Sequence, residues 1–378
     1  MNLRWLHAST AGLMAAALLA MTACGSAPKP TPQDIGNVKA EQALLPAWST
    51  KLAGDTAMNQ TLPLADGQFA LASKDGHVQV VKAGNGQLAW QVNLKTDLNA
   101  GAGFDGRTAA VVTRGNELVA MADGKVLWRS RLTAQSYTNP LVAGERVFLL
   151  LADRSVAAFD LASGQRLWVQ QRTGEALVLK QNGVLMAFQN NLLAGLGGKL
   201  VAMNPDNGQV RWEVPIANPR GINDLERLVD LVASPSRVKN TVCVRAFQAQ
   251  VGCIDALRGA LLWTRPANGV QGVDGDNAAV VGAESNGVVQ AWNRSTGERL
   301  WDTDRLKYRE LTAPLWTPKG VVVGDAGGYL YLLSGQDGHL LNKLKTAASG
   351  FASSPTALPD GGFVVLTRNG LLQAYQLP

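Results

Sequence analysis

One phrase recurs along this chain and limits what it can fold into. A short apolar run enters an Asp- or Asn-led turn, a glycine closes the turn, and a tryptophan follows four residues later. Residues 201–212 read VAMNPDNGQVRW, 156–168 read VAAFDLASGQRLW and 288–301 read VVQAWNRSTGERLW. Looser copies stand at 78–90, 118–128 (with a shortened turn) and 251–263. The marked residues are Trp90, Trp128, Trp168, Trp212, Trp263 and Trp301, spaced 38 to 51 residues apart. A seventh copy, GGYLYLLSGQDGHLLN, puts Asn342 at the tryptophan position. Self-similarity at such a period means stacked repeats, each too small to bury its own apolar faces.

Within a repeat the pattern is four short strands. In the third, strands are expected before Gly144-Glu145, at Arg146 to Leu151, at Ser155 to Asp160 and at Arg166 to Gln170. Polar-glycine turns between short apolar runs are hairpin signals. Four strands in a period of about 40 residues predict an all-β propeller of four-stranded antiparallel blades. The last copy starts at Ser354-Pro355 and ends before any tryptophan, while LPAWSTKL (45–52) carries Trp48 with no copy before it. The N-terminal strand therefore completes the C-terminal blade, closing a ring of eight. The tryptophans, Trp48 included, are expected between adjacent blades, where a large apolar ring gives most contact.

The first 23 residues read as a signal. Arg4 supplies a positive start, AGLMAAALLAM (11–21) is apolar but too short to span a bilayer, and small residues lead to Cys24. Met21-Thr22-Ala23-Cys24 resembles a bacterial lipobox, with Met where Leu is usual. That resemblance implies lipidation at Cys24, and Gly25 after it implies sorting to the outer membrane, facing the periplasm. Residues 24–45, rich in Pro and polar side chains, read as a flexible tether, and 46–378 as the propeller. The formal net charge is +6; Arg4 is the only charge before Cys24, which leaves +5 beyond it. No basic block is dense enough to argue for nucleic acid.

Catalytic groups are scarce. His77 and His339 sit in Asp-Gly-His turns, and His7 lies in the signal. No nucleophile set or metal-ligand cluster is legible. Gly101-Ala102-Gly103-Phe104-Asp105-Gly106 fits G-x-G-x-x-G, but two strands follow where phosphate binding needs a helix. Cys243 and Cys253 flank a hairpin centred on Gln248 and point the same way on facing strands. An oxidising compartment permits a disulfide there; two small buried residues facing each other fit the same pattern. Both readings stand on the sequence.

Two segments break the repeat. EVPIANPRGINDLERLVDLVASP (213–235) accounts for the longest spacing, and Leu225, Leu228 and Leu231 recur in it at roughly helical intervals. A long loop in a compact repeat fold is usually functional. ALVLKQNGVLMAF (176–188) is expected to place Leu177 and Leu179 on one face of a strand near the ring opening.

The turn-Gly-x-x-x-Trp repeat resembles that of the pyrroloquinoline-quinone dehydrogenase propellers. Those enzymes carry adjacent cysteines, which this chain lacks. A propeller of eight such repeats behind a lipobox and a short tether resembles the BamB lipoprotein family over the whole chain beyond the signal. In that family a Leu-x-Leu-Arg stretch faces the periplasmic POTRA domains of the barrel-inserting protein BamA. It stands here as Leu177-Val178-Leu179-Lys180, and Lys does not reproduce a forked guanidinium contact. The family's Arg-Leu-x-Asp-x-Asp stretch stands as Arg227-Leu228-Val229-Asp230-Leu231-Val232; Val232 replaces the second Asp, which implies a face that is either more apolar or built differently. The resemblance implies a non-catalytic scaffold of the outer-membrane β-barrel assembly machinery, without cofactor or metal. It further implies the other lipoproteins of that complex, and nascent outer-membrane proteins, as partners. A quinone-dependent dehydrogenase-like enzyme and a generic periplasmic binding module are the competing readings.

Overall fold

The computed structural model describes residues 29–54, 58, 60–171, 178–219, 228–346 and 349–378. Residues 33–378 form one compact unit, and the described residues 29–32 belong to a separate N-terminal unit, where they are exposed and irregular.

Eight four-stranded antiparallel sheets make up an eight-bladed β-propeller. The blades span 64–93, 103–131, 141–170, 185–215, 231–266, 273–303 and 315–345, and the eighth joins 356–376 to 45–51. In that last blade Leu45–Lys51 pairs with Leu371–Gln376, so the two ends of the chain close the ring. The middle strands are near-continuous apolar runs, such as Ala109–Val112 and Phe363–Leu366, because both their faces meet a neighbouring blade.

The recurring phrase has a specific mechanical meaning. In each blade the outer ladder slips register just before the tryptophan position. This β-bulge adds one residue to the outer strand and re-aims the next side chain. The bulged residue faces solvent, which accounts for the exposed Leu127, Leu167, Leu262 and Leu300. The tryptophan turns onto the following blade, over the glycine of its last turn. Trp168 covers Gly208, where an added Cβ would lie 2.6 Å from the ring. Trp48, Trp128, Trp212, Trp263 and Trp301 cover Gly86, Gly164, Gly259, Gly297 and Gly338 in the same way. Each of these glycines has positive φ, so the residue is fixed both by the turn and by the ring above it. The indole N–H groups of Trp128, Trp168, Trp263 and Trp301 donate to carbonyls of the same turns, at Leu161, Pro205, Arg294 and Gly335. Trp90 faces the shortened turn of the second blade, where a Cβ added at Gly124 would lie 3.9 Å from the Trp90 Cβ and no closer to its ring.

Asn342 now has an explanation. The eighth blade takes its outer strand from the N-terminal side and so lacks this turn and its glycine; the residues leading into that strand stand there. Asn342 Nδ2 instead donates to the Gln42 carbonyl, 2.7 Å away. The stretch before the first strand differs from the expected flexible tether. Residues 33–44 have no regular structure, yet they lie along the sixth and seventh blades. Ile35 is buried with Leu306, Leu311 and Tyr331, Gln33 N–H donates to the Lys307 carbonyl, and the Arg305 and Arg309 guanidiniums bond the Ile35 and Gln33 carbonyls. An apolar side chain and accepting carbonyls offset the entropy of holding the segment still.

Cys243 and Cys253 are directly opposed on Thr241–Ala246 and Gln250–Asp255, with the turn centred on Gln248, and they form a disulfide. Nearby, Arg245 is fully buried and pairs with Glu284 at 3.1 Å across the joint between the fifth and sixth blades. Burial pulls its pKa down and the Glu284 charge opposes that pull. Removing one partner of such a pair typically costs about 3–5 kcal/mol.

Candidate functional site

The loops that cross from one blade to the next share one end of the ring with the turns between each blade's two middle strands. There the third, fourth and fifth blades bring the two irregular segments together. Leu177 and Arg227 lie outside the described residues, as does Cys24. Val178, Leu179, Lys180, Leu228, Val229 and Asp230 are described.

Of the strand expected over 176–180 only Val178–Lys180 lies among the described residues, and these three are not in a strand. Val178–Lys180 belongs to the loop between the third and fourth blades, and the next strand starts at Leu185. Among the described residues no strand pairs with it. The segment is held by a side chain instead. Asp230 Oδ2 accepts the Leu179 N–H at 3.0 Å. Asp230 Oδ1 accepts from Arg154 Nη1 at 2.7 Å, and both side chains of this pair are largely buried, at 14% and 12% exposure. Arg154 stands at positive φ in the middle-strand turn of the third blade. Asp230 ends the long loop and leads into Leu231–Val238. One carboxylate thus ties the third blade and the loop that follows it to the fifth.

What remains outward is the Leu179–Lys180 strip. Leu179 is half-buried and Lys180 exposed, and the Lys180 ammonium stands 5.6 Å above the Tyr137 ring, a cation–π distance. Below the strip an apolar cleft is lined by Tyr137, Leu150, Leu151, Leu179, Leu196 and Val232. Val232 is only 1% exposed. The substitution of the second acidic position therefore does not make the outer face more apolar; it fills this cleft. Leu231 is likewise buried at the start of a strand and not on a helix. The Arg154 brace was not legible, because its residue comes from an ordinary turn 76 positions away.

The glycine motif at 101–106 is steric. A Cβ at Gly101 would fall 2.5 Å from Gln60, and one at Gly103 would fall 2.1 Å from the Pro140 carbonyl. With the second blade so reduced, Asn139 Nδ2 reaches past it to Thr61 Oγ1 of the first blade, at 2.8 Å. His77 opens a strand and bonds Asp75 and Asn93. His339 is an exposed turn residue between Asp337 (2.7 Å) and Glu41 (3.4 Å). Among the described residues no group of three or more His, Cys, Asp or Glu is placed to hold a metal ion, and no helix is long and apolar enough to cross a membrane.

Comparison with known proteins places this geometry. A family model described as outer membrane protein assembly factor BamB matches residues 74–303. The outer membrane protein assembly factor BamB of Burkholderia pseudomallei is 33% identical over 368 residues, covering 96% of each chain. The crystal structure of BamB from Moraxella catarrhalis superposes with a TM-score of 0.80 at 23% identity, over 89% of this chain and all of that one. A quinohemoprotein alcohol dehydrogenase from Comamonas testosteroni matches at a TM-score of 0.67 and 13% identity, over 89% of this chain and 77% of the enzyme, a likeness of fold alone.

Proposed function

This chain belongs to the BamB family of outer membrane protein assembly factors, and from that membership we propose that it is a non-catalytic, lipid-anchored scaffold. It binds the periplasmic POTRA domains of the barrel-inserting subunit and so assists insertion of outer-membrane proteins. The observation that carries this reading is the outward Leu179–Lys180 strip, fixed to the ring by Asp230 at the end where the irregular loops gather. An apolar side chain beside a cation, over a cleft, is the composition of a protein-binding anchor. The likeness to a quinohemoprotein enzyme supports only the shared blades, since function resides in the site and not the fold. Acyl chains on Cys24 hold the scaffold at the outer membrane, and more than one chain is needed for stable anchoring.

The test is capture from detergent-solubilised envelopes. Wild-type protein should recover the barrel-inserting subunit, and the Leu177→Ala/Leu179→Ala variant, with its melting temperature checked, should not. Recovery of no such partner by wild type would overturn the reading. In parallel, Cys24→Ser should move the protein from the membrane fraction to the soluble periplasmic one.

A further inference from the structure

We infer that Asp230 and Arg154 are positioning residues, which act on the partner through the Leu179 backbone and not by touching it. The inference rests on the proposed function and assigns the division of labour within its binding face.

The carboxylate is spent internally. Each Asp230 oxygen already accepts a bond, from Arg154 Nη1 and from the Leu179 N–H, and the side chain is 14% exposed. A partner would meet a charge that Arg154 has neutralised. Both ends of the brace are themselves fixed. The Arg154 N–H donates to the Leu151 carbonyl in its turn. The Asp230 carbonyl accepts from the Phe247 N–H, and the Leu231 N–H donates to the Gly197 carbonyl. The segment being held has little else. Among the described residues 178–181, the Leu179 amide makes the only backbone hydrogen bond. The next fixed points are Asn182 and Gly183, tied to Asn139, Ala233 and Thr138. Without Asp230 the strip loses the one backbone hydrogen bond described for it ahead of Asn182, and Leu179 and Lys180 leave the position over the cleft. A charge-assisted bond to a backbone N–H is among the stronger hydrogen bonds available for this. Lys180, beside Tyr137, is the group left facing the partner.

The experiment measures binding of the purified periplasmic region of the barrel-inserting subunit to the full chain, together with hydrogen exchange at the Leu179 amide. Asp230→Ala removes both bonds. Asp230→Asn keeps an acceptor for Leu179 and loses the charge. Arg154→Ala frees one side of the brace, and Arg154→Lys restores the charge. If the pair positions the strip, affinity follows Leu179 amide protection. Asp230→Ala then weakens binding about tenfold or more, as loss of a charge-assisted bond would. Asp230→Asn and Arg154→Ala fall between it and wild type, and Arg154→Lys recovers most of the loss. Exchange at Leu179 speeds up in the same order with no partner present, which a partner-contact role would not cause. If wild type binds, Asp230→Asn binds as poorly as Asp230→Ala with the amide still protected, and Arg154→Ala binds normally, then Asp230 is a contact: this inference falls and the proposed function stands. If wild type does not bind, both fall.

Discussion

Where the third blade meets the fourth, Trp168 covers Gly208 and donates to the Pro205 carbonyl, and near copies of that arrangement recur around the ring. A few residues further on, Val178–Lys180 is held by a carboxylate at the start of the fifth blade. The joint is redundant, local and apolar. The loop depends on residues far apart in sequence and is polar where it is held. In a repeat fold the joints carry stability by summation over neighbours, which leaves one end of the ring free to vary. The loop face can then be specialised without weakening the ring.

The largest effect should come from breaking the closure. Deleting 45–52 strips the eighth blade of its outer strand and opens two edges. The loss should exceed the usual stability margin of about 5–15 kcal/mol, and circular dichroism should show no cooperative melt. Next, Trp168→Ala should cost about 3 kcal/mol, from the ring and its hydrogen bond. Trp90→Ala, whose ring lacks a close turn glycine, should cost less, about 1–2 kcal/mol; equal losses in denaturant titration would mean that the turn contact matters little. Asn342→Trp sharpens the comparison from the other side. With no turn to cover and the bond to Gln42 lost, it should destabilise by about 1 kcal/mol, and a gain in stability would contradict the explanation given for Asn342.

The smallest effect concerns pH. Hydrogen bonds from Ser334 and His339 hold Asp337 down to about 2, and Asp337 with Glu41 pushes His339 above its ordinary value. Because the His339 pKa is raised on folding, its contribution is complete below its unfolded value near 6.5 and fades as pH rises through the higher folded one. The Asp337 contribution is present above its unfolded value of 3.8 and fades as pH falls towards 2. These groups are exposed, so salt screens them. Hydrogen exchange across 38–42 should therefore speed up slightly, beyond its intrinsic pH dependence, between pH 6 and 8. His339→Ala should abolish that extra change.

The ring was legible because its period is written in residues that only one geometry satisfies. The turn glycine and the tryptophan four residues later belong to neighbouring joints, and Trp48 before the first repeat disclosed the closure. The bulge was less visible: Leu167-Trp168 and Leu300-Trp301 interrupt the apolar alternation, but the solvent-facing leucine looks like core in a one-dimensional pattern. At the proposed binding face Leu179, Lys180 and Asp230 stand out in the sequence, but Asp230 looks there like a surface residue. Its partners, Arg154 and the Leu179 amide, carry no local signal, because a turn arginine looks the same whether solvated or braced. Ile35 and the laid-down 33–44 segment were missed for a related reason: Pro-rich, polar composition describes a chain on its own and not one that finds a groove.

In this division of roles the joints hold the ring and the loop face is the proposed partner site. The division is tested most directly by measuring melting and partner capture side by side for Trp168→Ala and Leu177→Ala/Leu179→Ala, at a temperature where both are folded. The account predicts that Trp168→Ala melts several degrees lower, at about 2–4 °C per kcal/mol or less for a chain of this size, and captures the barrel-inserting subunit like wild type. The leucine variant should melt within about a degree of wild type, as surface changes usually do, and capture nothing. Loss of capture by a folded Trp168→Ala, or retained capture by the leucine variant, would contradict it.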